Sequence, residues 1–61
     1  MQTFTVIVAV REKAGLRYMK YRNVSKISSL IKYIRGKGHH VVFANVYDTK
    51  SRQLIETIKH L

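Results

Sequence analysis

The sequence has no cysteine, no proline and no tryptophan, and only three acidic residues, Glu12, Asp48 and Glu56. Each absence removes a class of function. Without Cys there are no disulfides, no thiolate zinc sites and no thiol nucleophile, and such a composition fits a reducing compartment. Without Pro nothing forces a break in regular structure. The three acids are scattered along the chain, so paired carboxylates for acid–base work and carboxylate cages for hard cations have nothing to be built from. Long apolar runs are missing too. The richest, Val6 to Val10, is far short of the roughly 20 residues a membrane span needs. No basic segment precedes it, and Arg11, Glu12 and Lys13 stand where a signal-peptide cleavage site would lie, so the expectation is a cytoplasmic protein without membrane contact.

What the chain does have is positive charge. Twelve Lys and Arg give a formal net charge of +9 over 61 residues. That exceeds the magnitude of about 2–8 that keeps a small domain soluble, and it points to a polyanionic partner: nucleic acid, or the acidic surface of another protein. Residues 1–61 form one domain at most, with no linker, repeat or low-complexity tract. A chain this short buries only about 60% of its unfolded surface, so a small core must suffice.

The hydrophobic periods predict β-β-α-β-β. Thr3 to Val10 alternates, with Phe4, Val6, Val8 and Val10 on one side, as a half-buried strand does. Residues 12–15 are a turn, with Gly15 free to adopt positive φ. Leu16 to Val24 is a mixed, charged strand suited to a sheet edge. Ser25 is the expected helix N-cap. Ile27, Leu30, Ile31 and Ile34 follow at helical spacing as one apolar stripe, and Gly36 is the expected stop. Val41 to Tyr47 is the third strand, and the polar turn 48–51 leads into a fourth over Gln53 to Lys59. A helix over 52–61 is the alternative there, since Leu54, Ile55, Ile58 and Leu61 also fit helical spacing. Placing the two most apolar strands in the middle gives an α+β domain with an antiparallel sheet of order 2-1-3-4 and one helix on one face.

The face without a helix is the candidate site. With Phe4, Val6 and Val8 turned to the helix, Thr5, Ile7 and Ala9 point away. Arg17, Met19 and Tyr21 from the second strand are expected beside them. From the third strand, Val42, Ala44 and Val46 are expected inward and Phe43, Asn45 and Tyr47 outward. Aromatics and cations on an open antiparallel sheet form a stacking platform for unpaired bases. The expected nucleic-acid contacts are therefore Arg17, Lys20, Arg22 and Lys37 on phosphates, and Tyr21, Phe43 and Tyr47 on bases. No catalytic residue, metal or cofactor is expected. The alternative is a small interaction or inhibitor protein, perched on an acidic surface of a partner or pairing with a second copy through the open face.

Two local motifs bear on this. Arg35-Gly36-Lys37-Gly38-His39-His40 is a basic loop whose glycines let backbone amides approach a phosphate, but it lacks the spacing of a Walker loop. Gly38-His39-His40 followed by valines resembles the histidine-bearing strand of HicA-type mRNA-cleaving toxins. That resemblance would make His40 a general base, yet it covers these residues only, and the preceding strand of that family has no counterpart. Adjacent strand residues point to opposite faces, so His39 and His40 cannot grip one metal ion.

Overall fold

The computed structural model describes residues 2–59. β1 (Phe4–Glu12) runs through the centre of the sheet. Its β-branched residues suit a pleated, buried strand. The turn at Lys13 and Ala14 reverses the chain into β2 (Gly15–Val24), an edge strand. Gly15 takes φ +127° there, a value side chains resist. The chain then forms α1 (Ile27–Gly36), central strand β3 (His40–Asp48) and short edge strand β4 (Leu54–Ile58). The sheet has four strands in the order β2-β1-β3-β4, all neighbours antiparallel. This is the α+β arrangement the periodicity predicts. Within 52–61 the chain is a strand over Leu54–Ile58 and not a helix over the described residues; His60 and Leu61 lie outside the described residues.

The core lies between helix and sheet. Val6, Val8 and Val10 of β1, Ile31 and Ile34 of α1, and Val41 and Ala44 of β3 form one buried cluster, with Phe4, Met19, Tyr21, Val24, Ile27 and Leu30 packed around it. The helical stripe is therefore the expected one.

Three local expectations are corrected. The N-cap is Lys26, not Ser25: its extended backbone leads into the helix, and it makes no side-chain cap hydrogen bond. The Lys26 carbonyl accepts the first helical bond, from the Leu30 N–H, so Ser25 sits one residue too early for its hydroxyl to serve the cap. Gly36 is still helical. The chain leaves the helix at Gly38, which takes φ +90°, while the Lys37 and Gly38 N–H groups donate to the carbonyls of Ile34 and Arg35. In β3, the inward position expected for Val42 is filled by Val41. The β1–β3 register shifts between the pairs Ala9–Phe43 and Val10–Val41, leaving Val42 as the extra residue of a bulge.

The uncapped helix start suggests a simple improvement. A basic residue stands at the N-cap and the first turn holds no acid, against the helix dipole. Lys26→Asp supplies both a cap acceptor and the right charge. It should stabilise the domain by about 1 kcal/mol, raising the melting temperature by about 4–8 °C. A thermal scan that shows no rise would mean the helix start is already satisfied by solvent.

Candidate nucleic-acid interface

Hairpin register decides which side chains reach the open face. The two-residue turn pairs Glu12 with Gly15, Val10 with Arg17, Val8 with Met19 and Val6 with Tyr21. Directly paired residues share a face. Since Val6, Val8 and Val10 face the helix, so do Arg17, Met19 and Tyr21. This corrects the expected placement of all three. Met19 and Tyr21 pack against the core, and the Tyr21 hydroxyl points to the Met19 sulfur at 3.7 Å. Arg17 lies 3.6 Å from the Glu12 carboxylate. Lys37 also belongs to that side. Its Nζ stands 5.1 Å from the centre of the Tyr33 ring, and Tyr33, by hydrogen bonding and then by charge, holds the ammonium above its ordinary pKa, with Tyr21 adding to the effect.

The open face instead carries the other half of β2. Its residues fall in rows across the sheet. Leu16 pairs with Arg11, which pairs with His40; Tyr18 flanks Ala9 opposite Phe43; Lys20 flanks Ile7 opposite Asn45, which pairs with Thr57; Tyr47 pairs with Thr5 and Leu54. Successive rows are about 6.6 Å apart along the strands. Of the seven expected nucleic-acid contacts, this face carries Lys20, Arg22, Phe43 and Tyr47, while Arg17, Tyr21 and Lys37 lie on the helix side. Sequence reasoning missed Arg11, Tyr18 and Arg52. Counting from the tight turn at 13–14 would have found Tyr18, because it pairs with Ala9.

The aromatic row explains why Ala9 is fully buried on a face with no helix. Tyr18 and Phe43 stand on the strands either side of it, and their rings close over the small side chain in an edge-to-face contact, centroids 6.2 Å apart. Tyr18 remains 60% exposed. One side of its ring is thus held by Phe43 while much of it stays open to a ligand. Nearby, the Thr57 hydroxyl donates to the Asn45 side-chain oxygen at 2.7 Å, fixing the polar row.

At the Tyr47 end the face dips into a groove of about 430 Å³. Lys20, Arg22 and Arg52 line it together with Thr5, Thr49 and Tyr47. Asp48 is also present, but its carboxylate is engaged: it accepts the Ser51 N–H at 3.2 Å. The Ser51 hydroxyl and N–H pull the Asp48 pKa below its ordinary value. A second furrow, between α1 and β4, is lined by Ile27, Ile31, Ile58, Lys32, Arg35 and Glu56. Its apolar floor is the outer edge of the core, since Ile31 belongs to the buried cluster and Ile27 packs against it.

His40 is exposed at the start of β3, opposite Arg11. Among the described residues no group of three His, Asp or Glu could hold a metal ion, and no helix is long and apolar enough to cross a membrane. Comparison with known proteins gives no match: no family model fits the chain, and no curated protein or solved structure is significantly similar to it.

Proposed function

We infer that this protein binds nucleic acid, without catalysis, by laying an unpaired strand across the open face of its sheet. The observation that carries this reading is the open face itself: the rings of Tyr18, Phe43 and Tyr47 share it with Arg11, Lys20 and Arg22. Unpaired bases stack on such rings whatever their sequence, and cations hold the backbone between them. A duplex keeps its bases stacked on one another and cannot use the rings, so single strands are preferred. The same charge and the exposed Leu16, Leu54 and Ile55 also suit the second reading, an interaction protein on an acidic partner surface.

A salt titration separates the two. Anisotropy of a labelled mixed-sequence single strand should show log K falling against log salt with a slope of about −2 to −4, the value for three to five released counterions. Lys20→Ala should flatten that slope without altering sequence preference, because phosphate contacts carry no base information. Failure to bind DNA or RNA even at low ionic strength would remove the nucleic-acid reading and leave the acidic protein partner.

A further inference from the structure

The geometry points to the groove between Arg22 and Arg52 as a site for a phosphomonoester: the terminal phosphate of the strand that lies on the open face. The inference rests on the reading above for its source of phosphate, but the site has its own argument. Three cations against one carboxylate leave the groove a surplus of two positive charges. A phosphomonoester carries about −1.5 to −2 near neutral pH, whereas each internal diester carries a single charge. Among the described residues, no carboxylate lies within ion-pair distance of Lys20, Arg22 or Arg52. Asp48 is tied to the backbone of its own turn. Arginine forks match phosphate oxygens bidentately.

The hydroxyls are set for the same ligand. Thr49 accepts a hydrogen bond from the Thr3 hydroxyl at 3.2 Å, and its N–H donates to the Thr3 carbonyl. Its position is thereby fixed, and its own hydroxyl proton is left to give to an anion.

The backbone adds an independent sign. Among the described residues, two that are not glycine take positive φ: Asn23 at 56° and Arg52 at 62°. Arg52 lines this groove; Asn23 does not line it but is the chain neighbour of Arg22, which does. Asn23 occupies the β1–β2 register shift. Arg52 closes the turn, its N–H donating to the Asp48 carbonyl at 2.8 Å. Asn tolerates this conformation; a long side chain such as Arg does so at a cost. Glycine would be the ordinary choice at position 52, so the arginine side chain is kept there against local preference, as happens where a strained residue serves a ligand.

The test uses one sequence of single strand in three forms: 5′-phosphorylated, 3′-phosphorylated and unphosphorylated. Inorganic phosphate serves as a separate probe, followed by amide chemical shifts. One phosphorylated end should bind about tenfold tighter than the bare strand, the gain expected of one added charge-assisted contact set. Arg52→Gly and Arg22→Ala should each abolish the gain, and Lys13→Ala, at the opposite end of the sheet, should keep it. Arg52→Gly relieves the positive φ, so its melting temperature should equal or exceed that of the unmodified protein, and lost binding cannot be put down to unfolding. No gain from either end, or a gain that survives both groove substitutions, overturns the proposal. Inorganic phosphate that shifts the groove amides while no strand binds would uphold a phosphate site and sink the nucleic-acid reading. Silence from both probes ends both.

Discussion

Ile34→Asp is expected to unfold the protein at room temperature. Ile34 is the largest fully buried side chain among the described residues, 1% exposed, and it packs in the cluster of Val6, Val8, Val10, Ile31, Val41 and Ala44. Among the described residues no polar side chain is buried there to receive a carboxylate. The aspartate must either ionise without a partner or be buried protonated, and in both cases the isoleucine contacts are gone. Loss of an Ile side chain alone costs about 2–5 kcal/mol, and the unpartnered polar group adds to it. A domain of this size has a total stability of only about 3–9 kcal/mol, so the sum removes most or all of it. Ile34→Val, which keeps the shape, should cost about 0.5–1.5 kcal/mol. Lys32→Ala, on an exposed position of the same helix, should melt close to the unmodified protein. Far-UV circular dichroism and thermal scans read all three. An Ile34→Asp variant with an unchanged melting curve would mean that this helix face does not meet the sheet.

The sequence carried the fold because its strongest signals were redundant. The alternation in β1 and the Ile27–Leu30–Ile31–Ile34 stripe each name their own buried side, and the sheet order follows from which strands are apolar on both sides. The site was only half legible. β3 was placed correctly at Ala44, Val46, Phe43 and Tyr47 because its register with β1 pairs even residues with even ones along that stretch. β2 was placed on the wrong face because it has apolar residues on both sides, Tyr18 and Leu16 on one, Met19 and Tyr21 on the other. Pattern could not choose between them; only the length of the turn does, since two turn residues pair even positions of β1 with odd positions of β2. The bulges were invisible for a different reason. The extra residues at Val42 and Asn23 arise from how neighbouring strands twist past one another, which no single strand's sequence records. Arg52 entered the site through the backbone conformation of its turn, a property of the loop's closure rather than of composition.

The corrected face makes the second large prediction, which is that Tyr18 and Phe43 contribute affinity that salt does not remove. Stacking of a base on an aromatic side chain is worth about 1–3 kcal/mol, so Tyr18→Ala should weaken single-strand binding by about tenfold or more. Because Tyr18 is 60% exposed, the fold should be little disturbed. Phe43→Ala removes both a stacking ring and the lid over Ala9, so some stability is lost with it. Phe43→Leu restores most of the apolar cover while withholding the π-face, and it should regain stability without regaining affinity. Screening distinguishes these effects from charge. Raising salt towards 1 M shrinks the Debye length to about 3 Å, and the penalty of Lys20→Ala should fade, while the penalties of Tyr18→Ala and Phe43→Leu persist. Tyr21→Ala is the decisive contrast. Its ring packs on the helix side against the core, so it should lower the melting temperature and leave the affinity of the folded protein unchanged. Were Tyr21→Ala to abolish binding at full folding while Tyr18→Ala did nothing, the strand would have to lie on the helix side, near Lys37 and Tyr33, and the open face would lose its role.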